Sequence, residues 1–286
     1  MNTRRDYRGW NAFYSEFISR NIGLVSMEDQ EKIRNSSIAI FGIGGLGGSL
    51  AEELTRTGCE HIKICDNGVF EVSNLNRQLC SRDDIGKYKV DVVETLLKKI
   101  NPGINVKKEY EVNKTNISNI LESTTLVALT LDDPITSILI ARECLNYKIP
   151  MIESWGIPYL WVWWFTHESI DYESCYGFQT NEKSIDSLLS DPKLLGDIKS
   201  KVFKLITQFP EIRERYSREK NIVEKMASGE LPFVSFAPIV RITASYLAFE
   251  IVFSGITQLK RMELAPNING YDYFSMKPIK FKLYPH

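Results

Sequence analysis

The chain has 286 residues, 43% of them hydrophobic and 25% charged, with a formal net charge of −1. Such values belong to an ordinary globular protein, and the near-neutral balance gives no basic footprint for nucleic acid. No run of about 18 apolar residues stands out, and Met1–Trp10 lacks the apolar core of a signal peptide, so a cytoplasmic protein with no membrane partner is expected. Cys59, Cys65, Cys80, Cys144 and Cys175 include no C-x-x-C pair, which argues against both a disulfide scaffold and a closed cysteine zinc site.

Residues 1–19 interleave polar positions with Tyr7, Trp10, Phe13, Tyr14, Phe17 and Ile18, an amphipathic arm whose aromatics pack on the body or on a partner subunit. Ser26 followed by Glu28 and Asp29 has the form of a helix cap with an acidic first turn, so 1–35 reads as an arm and a helix. Ile38-Ala39-Ile40-Phe41 is too short for a helix and predicts a buried parallel strand. Gly42-Ile43-Gly44-Gly45-Leu46-Gly47 then fits G-x-G-x-x-G, and a helical pattern follows from Ser49 to Thr57. A glycine turn between strand and helix lets phosphate approach bare N–H groups at the helix's positive end. The next strand, Ile62–Cys65, delivers Asp66 roughly 20 residues past the glycines, where a ribose hydroxyl binds. Ser73-Asn74-Leu75-Asn76-Arg77-Gln78 and Gly86-Lys87-Tyr88-Lys89 come next.

Hydride transfer has no need of cations after the ribose carboxylate, because the nicotinamide carries the reaction. Nucleotidyl transfer does need them, since charge builds on the phosphates. Arg77 and Lys89 supply it, with Asn74 as a neutral donor; Lys87 is the rival lysine and is expected to face solvent. S-N-L-N-R-Q after a G-x-G-G-L-G turn resembles the ThiF/MoeB/HesA family, E1-like relatives of ubiquitin-activating enzymes, from about Arg20 to Asn181. The resemblance implies ATP- and Mg²⁺-dependent adenylation of a carboxylate, on an α/β, Rossmann-like doubly wound sheet with C-terminal antiparallel strands. It implies an ATP site of Gly42, Gly44, Gly45, Leu46, Gly47, Asp66, Asn67, Asn74, Arg77, Gln78 and Lys89, and a homodimer in which Arg20 reaches the partner's phosphates. The family's D-x-D is Asp66-Asn67-Gly68 here, so its second aspartate is missing.

An amphipathic helix from about Lys87 to Ile100 is stopped by Asn101-Pro102-Gly103, and Ile104–Val106 begins a strand. The strand Thr125–Thr130 ends in Leu131-Asp132-Asp133-Pro134. A carboxylate at that tip suits Mg²⁺, and Asp132 matches the family aspartate; Asp133 reads as the cap of the helix Ile135–Asn146. After the strand Pro150–Glu153, Ile157–Phe165 reads as one strand. Alternation along it puts Trp161 and Trp163 on one face and Val162 and Trp164 on the other, as core or as an aromatic wall for a flat substrate.

Cys175 stands where many relatives begin a four-cysteine zinc site, but Phe178 replaces its partner, so no zinc is expected and the thiol reads as inert rather than as an acyl acceptor. Residues 36–180 thus form the adenylation core. Residues 181–232, helical over Asp186–Phe209 and Glu211–Met226, form an inserted lobe that lids the site or binds substrate. Residues 233–286 complete the domain with an apolar helix over Pro232–Gly255, weakly matching the family's dimer helix, and two edge strands of a small sheet near Tyr271–Phe274 and Ile279–Leu283.

The expected reaction is attack of a substrate carboxylate on the α-phosphorus of ATP. Neither a zinc site nor a clear transfer cysteine is present, which points to a small-molecule carboxylate, such as the guanylylpyridinol adenylated by the HcgE-type branch of the family in iron-guanylylpyridinol cofactor assembly. The alternatives are a ubiquitin-like, sulfur-carrier or peptide C-terminus, with a downstream acyl-acceptor protein, and, from other classes, an NAD-dependent oxidoreductase or a non-catalytic ATP-binding scaffold.

Overall fold

A computed structural model describes residues 9–216 and 218–282; Tyr7 of the arm and Leu283 of the tail lie outside the described residues. Helices α1 (Ala12–Phe17) and α2 (Met27–Asn35) precede β1 (Ser37–Phe41), α3 (Gly45–Arg56) and β2 (His61–Cys65). Ser26 and Asp29 close a capping box on α2, as the sequence suggests. After two short 3₁₀ turns come α4 (Lys89–Ile100), β3 (Asn105–Glu109), α5 (Ile117–Leu121), β4 (Leu126–Leu129), α6 (Pro134–Asn146), β5 (Met151–Trp155) and β6 (Leu160–Phe165). The chain continues through α7 (Tyr172–Tyr176), α8 (Ile185–Ser190), α9 (Pro192–Thr207), α10 (Pro210–Tyr216), α11 (Ile222–Ala227) and α12 (Ala237–Glu250). It ends in the hairpin β7 (Asn267–Asp272) and β8 (Lys277–Lys282).

All eight strands share one sheet in the order β3-β2-β1-β4-β5-β6-β7-β8. Pairs from β3 to β5 are parallel, while β5/β6, β6/β7 and β7/β8 are antiparallel. The chain winds outward from β1 through β2 to β3, then returns to lay β4 on the other side. The gap between the C-terminal ends of β1 and β4 is therefore the topological switch point, where ligands bind in such sheets. The tail strands extend this main sheet and are not a small sheet of their own.

Strand alternation divides the core. Phe41, Val127, Leu129, Trp161, Trp163 and Phe165 pack with α6, α7 and the apolar side of α9 on one face. Ile38, Ile40, Ile62, Ala128, Val162 and Trp164 pack with α3, α4 and α12 on the other. The two-face division of the tryptophans follows from the period of 2. Trp161, Trp163 and Trp164 are fully buried, so the expected aromatic wall is core along β6.

Several boundaries shift for local reasons. α3 begins at Gly45, four residues before the apolar pattern shows, because its first turn is the glycine motif itself. α4 begins at Lys89, after an extended Tyr88. Residues 157–159 form a bend before β6. Pro192 and Pro210 start new helices in the lobe rather than continuing old ones, since proline suits a first turn and breaks an interior. α12 begins at Ala237, after the irregular segment 232–236 whose last residue is extended, and it runs on into a π-helical turn, Ile251–Ile256. The span Ala237–Ile256 is long and apolar enough, by length and composition, to cross a membrane, and half of its apolar window is buried within the protein, against this sheet.

The N-terminal arm docks on its own chain. Trp10, Tyr14 and Ile18 are buried together, the Tyr14 hydroxyl donates to the Gly58 carbonyl (2.8 Å), and the Asn21 amide donates to that of Thr57 (3.1 Å).

Candidate active site

A crevice of about 1250 Å³ opens at the β1/β4 switch point. Its floor is the glycine turn. Gly42 has φ +93°, and a Cβ there would stand 2.5 Å from the Thr130 carbonyl oxygen. Gly47 lets α3 approach β1: a Cβ would meet the Gly42 carbonyl at 1.8 Å and the Thr130 hydroxyl at 2.6 Å. Gly42, Gly44, Gly45 and Leu46 line the crevice, while Gly47 is buried beneath it and acts through packing, not contact.

Asp66 caps the turn from the β2 side. Its carboxylate accepts the Ile43 N–H (2.6 Å) and the Gly68 N–H (2.7 Å), which hold it at the crevice wall with lone pairs remaining for a hydroxyl. Asn67 lines the same wall and is exposed. Lys89, the first residue of α4, hangs beside Asp66: a Cβ on Gly68 would meet Asp66 Oδ1 at 2.9 Å and Lys89 Nζ at 3.2 Å. Lys87 points away and pairs with Asp84 (3.1 Å), so the structure sorts the two lysines as expected.

The segment 73–78 crosses above the turn. Arg77 hydrogen-bonds the Ser73 carbonyl (3.1 Å) and the Asn76 amide oxygen (2.8 Å); both partners are neutral, and Arg77 makes no ion pair among the described residues. Asn74 is buried, with its Oδ1 capping the Glu71 N–H (3.1 Å) and its amide nitrogen on the Ser73 hydroxyl (3.4 Å). Gln78 is buried too, and its Oε1 has no hydrogen-bond partner. An orphaned buried amide oxygen beside a glycine turn fits a site that binds a hydrogen-bonding ligand.

Asp132 and Asp133 follow β4 and divide two roles between them. Asp133 caps α6, accepting the Thr136 N–H at 2.8 Å. Asp132 reaches solvent inside the crevice with no ion pair among the described residues. Desolvation by the surrounding walls pushes its carboxyl above the usual carboxylate range, while Lys89 and Arg77 act in the opposite direction and Asp66 adds to the rise. One carboxylate facing a phosphate-sized space suits Mg²⁺, which keeps several waters and takes one or two carboxylates. No three His, Cys, Asp or Glu side chains converge among the described residues.

Arg20 does not line this crevice. It is exposed in the turn after α1, next to Asn21 at the C-terminal end of α3. The glycine turn lies at the other end of that 12-residue helix, about 18 Å away at the helical rise.

The far half of the crevice was not legible in the sequence. It is walled by Ser154, Trp155, Gly156 and Ile157 after β5, by Arg215, Tyr216 and Arg218 from the lobe, and by Phe233 and Phe274. The lobe thus covers the site while sharing the main core through Leu188, Ile198 and Leu205. Arg215 latches lobe to hairpin: it pairs with both Asp272 oxygens (2.9 and 3.0 Å), donates to the Pro158 carbonyl (2.7 Å) and lies 4.5 Å over the Phe274 ring. Glu153 lies beneath, buried, and burial raises its carboxyl to about 7 against the pull of hydrogen bonds from Tyr176, Trp163 and Tyr172. Cys175 is buried nearby, and desolvation lifts its thiol well above its ordinary range, so no thiolate forms there at neutral pH.

The ThiF family model matches residues 18–285, glycine turn, crossing segment and lobe included. The chain belongs to the ThiF family. Its curated ThiF-like relatives include the tRNA threonylcarbamoyladenosine dehydratase of Bacillus subtilis, 32% identical over 48% of this chain and 56% of that one. Ubiquitin-like modifier-activating enzyme 5 of Oryza sativa is 32% identical over 49% and 33%, and the adenylyltransferase and sulfurtransferase UBA4 of Saccharomyces cerevisiae 31% over 45% and 30%. The matched segments thus span between 30% and 56% of these relatives. Solved structures share the fold: PaaA has a TM-score of 0.69 at 18% identity, covering 99% of this chain and 78% of that one. Escherichia coli MccB, solved with AMPCPP and MccA, gives 0.64 at 21% identity, over 96% and 74%.

Proposed function

We propose that this ThiF-family protein adenylates a carboxylate, using ATP and Mg²⁺. The observation that carries the reading is the convergence of Arg77, Lys89 and Asp132 on one crevice above a glycine turn, with neither cation paired to a protein carboxylate. ATP would lie with its ribose at Asp66 and Asn67, its phosphates over Gly44, Gly45 and Leu46, and the Asn74 and Gln78 amides alongside. A carboxylate oxygen attacks the α-phosphorus, the bond to the β-phosphate oxygen breaks, and acyl adenylate and pyrophosphate form. Arg77 and Lys89 neutralise the charge that grows on the phosphates. Asp132 would hold Mg²⁺, which would supply positive charge to offset that of the phosphates. The nucleophile is ionised at neutral pH, so no base is needed.

Arg20 would complete the phosphate cradle in trans. Its distance from its own crevice supports that reading, since only a second copy brings such an arginine to the phosphates. A homodimer measured by sedimentation, with mixed dimers of R20A and K89A chains regaining part of the lost activity, tests it.

Protein-activating relatives such as ubiquitin-like modifier-activating enzyme 5 favour a carboxylate carried on a polypeptide. The small-molecule reading, guanylylpyridinol, rests on the missing zinc site and transfer cysteine; an aromatic wall would suit it, and of Trp155, Trp161, Trp163 and Trp164 only Trp155 lines the crevice. Pyrophosphate–ATP exchange driven by one but not the other decides between them. An NADH fluorescence change on mixing would favour the oxidoreductase reading instead.

A further inference from the structure

We infer that Trp155 is the wall on which a flat apolar group of the carboxylate substrate packs, held in place by Tyr176 and the buried Glu153; this rests on the adenylation reading. Trp155 ends β5, across the β1/β4 gap from Asp66, and so belongs to the half of the crevice that the nucleotide leaves free. One indole face stacks on buried Trp161, with ring centroids 6.4 Å apart and planes 21° apart. Its edge is tied as well: Nε1–H donates to the Tyr176 hydroxyl at 3.1 Å. The half-buried remainder of the ring faces the crevice beside Ile157.

The tie has a fixed direction. Tyr176 donates its single proton to Glu153 Oε2 at 2.6 Å, leaving its oxygen to accept from the indole. Trp163 Nε1–H donates to the same carboxylate oxygen at 2.8 Å, and the Tyr172 hydroxyl donates to Oε1 at 3.2 Å. Glu153 makes no ion pair among the described residues, so aromatic N–H and O–H donors alone hold it. A buried carboxylate is costly in a core that an apolar residue would fill. Its presence makes sense if its task is to keep Tyr176 facing inward and the indole upright. Glu153, which also borders the crevice, and Tyr176 are accordingly positioning residues that act through Trp155.

The test uses the full chain with indole-3-acetate and acetate as probe acids, ligand-observed NMR for binding in the presence of ATP, and pyrophosphate–ATP exchange for chemistry. Indole-3-acetate should bind about tenfold more tightly than acetate, the scale of one stacking contact. Trp155→Ala should abolish that preference, and the milder Tyr176→Phe should weaken it, both with unchanged affinity for a fluorescent ATP analogue. Equal binding of the two acids, or a preference that survives Trp155→Ala, overturns the assignment. Exchange without the preference removes the wall alone; aromatic preference without exchange from any acid removes the adenylation reading alone.

Discussion

Arg77 and Arg215, two of the arginines that line the crevice, are used in opposite ways. Arg215 is neutralised and fixed: both of its carboxylate contacts are to Asp272, its guanidinium lies over Phe274, and both partners of the pair are nearly buried. Arg77 is fixed by a carbonyl and an amide, which orient it without cancelling its charge. The first arrangement holds a lobe against a hairpin; the second keeps a positive charge ready for an anion. The same lesson separates Asp133, consumed as a helix cap, from Asp132, which is left facing the crevice. Arg77 and Asp132, which make no ion pair among the described residues, are the ones assigned to the reaction, while Arg215 and Asp133 serve the structure.

The comparison is broken most sharply by substitution. R77A or K89A should lower pyrophosphate–ATP exchange by about 10²–10³-fold, the cost of losing one preorganised electrostatic group, with little change in melting temperature. EDTA should stop the exchange and Mg²⁺ restore it, with D132N poorly rescued. R215A should do the reverse of R77A. It should destabilise the fold by about 3–5 kcal/mol, because Asp272 is left buried and unpaired, while exchange per folded molecule changes little. Loss of exchange without loss of stability in R215A would dissolve the distinction. D133A should cost only about 1 kcal/mol as a lost cap and keep its exchange activity, as urea titration and the exchange assay together would show.

A further effect is on pH dependence. Glu153 has its carboxyl raised from an ordinary 4.5 to about 7 by burial, among Tyr172, Tyr176, Trp163 and Trp155. The unfolded chain therefore ionises at this position before the folded one does. Its contribution favours folding fully below pH 4.5 and is lost as the pH rises through about 7. The E153Q variant should show a flatter stability profile than the wild type across that window in denaturant titrations at stepped pH. Parallel profiles would mean that Glu153 does not titrate there.

The glycine-turn half of the crevice was readable because its residues sit in nearly contiguous sequence. Gly42 to Gly47 must be glycine-rich for steric reasons at Gly42 and Gly47, and Asp66, Arg77 and Lys89 follow at spacings fixed by one strand–helix–strand unit. The capping role of Asp133 was readable too, from the proline that follows it. The other half escaped because it is assembled from distant segments. Glu153 meets Tyr176 across 23 residues and Arg215 meets Asp272 across 57, and no local pattern encodes either meeting. The tryptophan-rich strand misled for a related reason: alternation assigns faces correctly, but both faces of a central strand are core. Trp155, at the end of β5 before the antiparallel turn, is only half-buried. Helix starts at glycines and prolines shifted because apolar periodicity registers packing, whereas the first turn of a helix is set by its backbone groups.

The central claim is that the unpaired charges of Arg77, Lys89 and Asp132 serve carboxylate adenylation. Pyrophosphate–ATP exchange across a carboxylate panel, including guanylylpyridinol and polypeptides with free C-termini, tests it most directly, with K89A as the control. The account predicts exchange that requires Mg²⁺ and one acid and that disappears in K89A. Tight ATP binding with no exchange from any acid, in wild type and K89A alike, would contradict it and leave the chain a nucleotide-binding scaffold.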